Sequence, residues 1–313
     1  MKKNPRLLLP LALGVAILAV STASILIRFA QREAPSLTIA ALRLVFATLL
    51  LAPVALTRYR AEVKAMTLRE LFLAVFAGVF LAIHFATWIS SLEYTSVASS
   101  VVLVSTGPLW VALVSPYVLR EHLTRTAVLG LGLAILGGVI IGGADACRWD
   151  AGIRCVGLVQ FVHGRAIWGN ALALMGAWAV SGYLVVGRRL RASVPLVPYI
   201  FVAYGSAAVC LVLAMLAFGE TPLGLSQITY LWILLLAIVP QLVGHSTYNW
   251  ALRFLPAALV ALTTLGEPIG SAALAFAILN ETPGLPVLCG GALILTGIYL
   301  AARRPQGAAN LPA

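Results

Sequence analysis

Charge is scarce in this chain. Of its 313 residues 10% are charged and only ten are acidic, and polar residues nowhere gather into a stretch long enough for a water-facing domain. A soluble enzyme or signalling module is thereby excluded. Recognisable chemical motifs are scarce too: there is no Walker phosphate loop, no GxSxG elbow, no HExxH helix and no aspartate-rich metal pattern. Direct ATP drive and the common hydrolase mechanisms lose their sequence basis, and neither cofactor nor metal is expected. The four cysteines, at 147, 155, 210 and 289, lack metal-ligand spacing.

What is abundant is apolar side chain: 61% of residues are hydrophobic and the mean hydropathy is +1.01. Only a lipid bilayer hides that much surface, so the chain reads as a multi-pass membrane protein. The net charge of +11 does not point to nucleic acid, because the basic residues are scattered at the ends of apolar runs rather than gathered on one polar surface.

Ten such runs can be numbered in order: Leu8–Ala30, Ser36–Leu56, Leu71–Leu92, Val97–Leu119, Ala127–Gly143, Ala166–Gly187, Leu196–Phe218, Ile228–Leu252, Ala257–Leu279 and Leu285–Ala301. None alternates as barrel strands must, so an all-α fold of ten transmembrane helices is expected. The first run, with its basic head and small residues, has some character of a cleaved signal peptide, but it is too long for one and is read as a span. Fifteen of the 21 basic residues fall on one side if both termini are cytoplasmic, which places the chain in the inner membrane in that orientation. The loop 144–165 then lies outside. It carries Cys147 and Cys155, a candidate disulfide in a compartment where disulfides persist, with free thiols as the alternative.

The chain also resembles itself. A constant shift of 160 residues pairs Ser21 with Ser181, Arg28 with Arg188, Pro35 with Pro195, Pro108 with Pro268, Glu121 with Glu281, Gly130 with Gly290 and Gly137 with Gly297. Proline, arginine and glutamate are costly in apolar runs, so their recurrence at one shift predicts two five-run repeats, 1–143 and 166–303, with a linker at 144–165 and a short tail at 304–313. Five runs per repeat force the second to enter the membrane inverted. That is the architecture of a secondary transporter working by alternating access, with its site near the midplane.

Glu267 is the one acid deep inside a run, and Pro268 follows it at once. A carboxyl there is a proton carrier, a counter-ion for a cationic solute, or a neutral acid bonded to a neighbouring helix. Arg43 is the one basic residue clearly inside a run. It can pair with Glu267, anchor a substrate carboxylate, or snorkel to the interface. His84 and His245 stand within one residue of repeat equivalence, accompanied by Trp88, Tyr248 and Asn249; together they are candidates to line a cavity. Ser21, Trp178 and Ser181 are weighed as further lining, against the commoner habit of hydroxyls to bond back onto their own helix. Pro108 and Pro268 are kinks at equivalent places and candidate hinges. Gly138 and Gly142 form a GxxxG spacing, read as close packing within the bundle before a dimer interface, so monomer and homodimer both stay open.

The ten runs, the repeat, Glu267–Pro268, the apolar segment ending in Asn280–Glu281 and its counterpart from Gly107–Pro108 to Arg120–Glu121 resemble the drug/metabolite transporter superfamily, in its EamA-type branch. Asn280 and Arg120 stand where that family usually has glycine, and the linker is long for it. The resemblance implies export or uptake of small solutes such as amino acids, with proton coupling through Glu267 or none. A broad drug exporter or lipid flippase is the alternative. An intramembrane enzyme fits less well, because matched halves suit a moving cavity better than one asymmetric catalytic centre.

Overall fold

The computed structural model describes residues 5–118, 125–144, 147–149, 153–155, 164–255 and 257–302. Every one of the ten apolar runs carries helix. Six helical stretches among the described residues are long and apolar enough to cross a membrane: Leu8–Ala30, Ser36–Thr57, Leu68–Ser91, Arg165–Leu190, Leu196–Ala217 and Gln227–Ala251. Run four divides into Val97–Val104 and Gly107–Val118, and run nine into Ala257–Thr263 and Gly266–Leu274. Run five is Arg125–Ala144 and run ten is Leu285–Ala302. The all-α expectation needs one amendment, since a short antiparallel hairpin, Cys147–Trp149 with Ile153–Cys155, lies in the linker. Its register sets the backbones of Cys147 and Cys155 opposite each other; their side chains, Arg120–Glu121 and the tail 304–313 lie outside the described residues.

The prolines explain where runs four and nine break. A proline ring excludes the carbonyl four residues earlier, here Val104 for Pro108 and Thr264 for Pro268. The helices stop at Val104 and Thr263 and restart at Gly107 and Gly266, so each proline sits in a first turn where its missing N–H costs nothing. Two widened π turns, Ala237–His245 around Pro240 and Ala275–Leu279, have no counterparts among the described residues of the first half. The second ends at Asn280 with φ 56°, a left-handed position for which asparagine is the usual substitute for glycine.

Packing follows the repeat. Run three lies against six and run one against eight; four touches six and one touches nine; two pairs with seven and five with ten. Exchanging the first five runs for the second five leaves this set of neighbours unchanged. The repeat-equivalent arginines both reach backbone carbonyls: Arg28 donates to that of Thr95 (3.0 Å), in the turn between runs three and four, and Arg188 to that of Leu252 (2.6 Å), the C-cap of run eight. The second is a carbonyl that a helix C-terminus leaves open.

One face is fastened by carboxylates. Glu220 accepts from the Thr38 N–H and hydroxyl (both 2.9 Å), Glu93 from Ser36, Glu33 from the Ser226 N–H (2.8 Å), and Glu281 from the Val97 N–H (2.9 Å). Each acid therefore sits on the positive N-terminus of run two, four or eight. Glu281 also pairs with Arg28 at 3.2 Å, joining the ends of runs one and nine to the start of four. The Ser226 and Thr229 hydroxyls and the Ser226 N–H hold the Glu33 carboxyl below its ordinary value of 4.5, Ser226 contributing most. A depressed pKa means stability that is complete above about pH 4.5 and lost as pH falls through the folded value. Melting temperature should therefore drop less on acidification in Glu33→Gln than in the natural protein. Parallel melting curves of the two down to pH 3.5 would show that these bonds do not contribute.

Candidate functional site

The two helix breaks face each other across a central cavity. Its wall takes Ser105, Gly107 and Pro108 from run four, Ala261, Thr264 and Glu267 from run nine, His84 and Trp88 from run three, Tyr183 from run six, and His245, Tyr248 and Asn249 from run eight. Its volume is about 50 Å³, room for a water or two and far below the 300 Å³ or more that a small-molecule site usually occupies. In this conformation it is too small to admit such a solute.

Its polar groups are oriented by their neighbours. His84 Nδ1 lies 2.9 Å from the Gly176 carbonyl, which can only accept, so Nδ1 carries the proton and Nε2 of the neutral ring is left as an acceptor. The ring stacks on Trp88, one helical turn away, at 5.7 Å and 13°. The His245 ring stands 6.4 Å from both His84 and Tyr248. Asn249 Nδ2 donates to the Tyr183 hydroxyl (2.6 Å) and the His245 carbonyl (2.8 Å). Among the described residues the indole N–H of Trp88 and the hydroxyl of Tyr248 have no hydrogen-bond partner.

Arg43 is fully buried one layer behind this wall. Its guanidinium carbon lies 4.0 Å from the centre of the Phe85 ring, which in turn contacts His245 at 5.4 Å, and its Nε donates to Gln241 Oε1 (3.1 Å). The snorkelling arginine is therefore ruled out. Nor does Arg43 form an ion pair with Glu267 within 4.0 Å, although the two are close enough to feel each other's charge.

Of the lining and hinge residues singled out in sequence, Glu267, His84, Trp88, His245, Tyr248, Asn249 and Pro108 converge on the cavity, and four besides Arg43 do not. Ser21 bonds back to the Ile17 carbonyl (2.8 Å) and packs against Gly270, while its own carbonyl accepts from Ser271 (3.2 Å). Ser181 donates to the carbonyls of Gly107 (2.8 Å) and Ala177 (2.6 Å), bracing the break in run four. Pro268 is buried beside the acid it follows. Trp178 is 51% exposed and helps line a separate lateral groove of about 320 Å³ with Phe76, Phe80 and Trp110. Ser105, Thr264 and Gln241 were missed. Their signal was a hydroxyl three or four residues before each proline and, for Gln241, adjacency to Pro240.

A narrow cavity with a few convergent polar groups at the meeting of two matched helical halves, within an apolar bundle, is what a membrane transporter presents. The EamA-like transporter family model matches twice, over residues 8–143 and 167–303, and the chain belongs to that family. Its relatives include an uncharacterized transporter of Archaeoglobus fulgidus, 23% identical over 292 residues that cover 93% of this chain and 96% of that one. An uncharacterized transporter of Bacillus subtilis strain 168, YxxF, is 24% identical over 281 residues, 89% of this chain and 85% of its own. A solved crystal structure, described only as that of a protein, matches with a TM-score of 0.65 at 20% identity over 93% and 95% of the two chains, a likeness of fold alone.

Proposed function

We propose that this protein is a secondary transporter moving small amphipathic metabolites, amino acids or related solutes, across the inner membrane by alternating access. The carrying observation is the pair of proline breaks, equivalent in the repeat, that face each other across the cavity beside Glu267. Inverted five-helix halves with both termini cytoplasmic would let each half adopt the other's conformation, and the twofold family match and exchangeable neighbours support that reading. Pro108 and Pro268 are then hinges, the aromatic rings and free donors receive the solute, and Glu267 carries a proton. No cofactor takes part, and the arrangement serves as well in a monomer as in a homodimer.

The test is counterflow of a radiolabelled amino-acid and metabolite panel in proteoliposomes. At least one amphipathic solute should enter protein-containing vesicles faster than empty ones. The lateral groove, apolar and open beside runs three, four and six, favours a second reading as a lipid flippase or broad drug exporter. Movement of labelled phospholipid or a lipophilic cation, with none of the polar panel, would establish that reading instead.

A further inference from the structure

Arg43 has no counter-ion in hydrogen-bonding contact, and that is the least explained feature of the molecule. The guanidinium is fully buried and offers five N–H donors, of which one, on Nε, meets Gln241. Nη1 and Nη2 meet no acceptor at all. Gln241 Nε2 also finds no acceptor in hydrogen-bonding geometry, although the Tyr204 hydroxyl is nearby. A charge this deep is tolerated only with a partner, and the Phe85 face and one amide oxygen are a partial substitute.

We infer that Arg43 is the receptor for a carboxylate on the transported solute, reached when the cavity opens; the inference rests on the transporter reading above. The free Nη1–Nη2 edge is a planar fork that matches a carboxylate bidentately. Phe85 and Gln241 hold the fork in place, and Gln241 is aimed by the π turn that also carries His245 of the cavity wall. Three titratable groups of the wall, His84, His245 and Glu267, all lie within reach of the Arg43 charge. The Phe85 ring, which the guanidinium covers at 4.0 Å, in turn contacts His245 of the wall at 5.4 Å. A neutral sugar or a simple amine leaves the fork empty.

The test uses the full chain in nanodiscs at constant ionic strength and reads thermal stability and equilibrium binding with benzoate, benzamide and inorganic phosphate. Benzoate should stabilise saturably, and benzamide, the same size without the charge, should bind at least tenfold more weakly. Arg43→Gln should lose tenfold or more in benzoate affinity. Arg43→Lys, which keeps a charge but not the fork, should fall between. The comparison of benzoate with benzamide is made on the natural protein, so it decides the matter even where Arg43→Gln does not fold. Equal responses to the two probes, undiminished benzoate binding by Arg43→Gln, or a saturable response to phosphate alone would each overturn the assignment. A protein that transports a solute lacking any acidic group and ignores benzoate keeps the transporter reading and loses this one. Benzoate binding without transport does the reverse.

Discussion

Glu267→Gln is expected to keep solute exchange while abolishing accumulation driven by a pH gradient. Glutamine has the shape and neutrality of the protonated acid, so the cavity and its turnover between sides survive the change. What disappears is the proton that would ride with the solute or against it. With one proton per solute, a gradient of one pH unit sustains about a tenfold concentration ratio, and the variant should settle near unity. The structural side of the argument is that Glu267 lines the cavity with no ion-pair partner within 4.0 Å among the described residues, so replacing it by a neutral amide breaks no ion pair. Accumulation that persists in Glu267→Gln at the natural level would make the acid a structural brace and the protein a uniporter for that solute.

The second large effect concerns packing. Runs five and ten meet backbone to backbone at Gly137 and Gly290. A Cβ on Gly137 would stand 2.5 Å from the Gly290 carbonyl oxygen and 2.8 Å from Ile294, and one on Gly290 would stand 2.7 Å from the Gly137 oxygen. Neither obstacle is a flexible side-chain end, so the helices themselves must part. Gly137→Leu should cost at least the ~1–3 kcal/mol typical of overpacking, seen as a lower melting temperature in detergent and a smaller monodisperse fraction on gel filtration. Gly132→Leu is the control, because nothing lies within 4 Å of that position. Equal melting of the two variants would mean that the five–ten contact is not what holds this end of the bundle.

The glycine result also shows how far the sequence could be read. A GxxxG spacing pointed to Gly138 and Gly142, yet the close approach is at Gly137, while Gly138 meets only Leu103 at 4.0 Å. Spacing identifies a small-residue helix but not the face turned to its neighbour, which depends on a partner 150 residues away. Helix positions were legible because a bilayer demands long apolar runs, and the breaks in runs four and nine because proline removes defined hydrogen bonds. Glu267 and the two histidines were legible because polar groups in such runs need a reason. The hydroxyls were legible only in part: Ser21 and Ser181 share the repeat and pack on its equivalent runs nine and four, but only the Ser181 hydroxyl reaches across, to the Gly107 carbonyl, while Ser21 offers its own carbonyl to Ser271. Arg43 was found by its rarity, while its place behind Phe85 and beside Gln241 followed from a π turn that no local pattern announces.

The carboxylates on helix N-termini carry a last consequence, for kinetics. The runs have interchangeable neighbours, but Glu33, Glu93, Glu220 and Glu281 all fasten the same face. A carrier whose halves trade places freely would idle equally in either orientation. On the alternating-access reading proposed above, these contacts favour the form shut on that face against the single Ser193–Glu70 bond between the start of run three and the six–seven turn, and the Arg28–Glu281 pair is among those that must part for it to open.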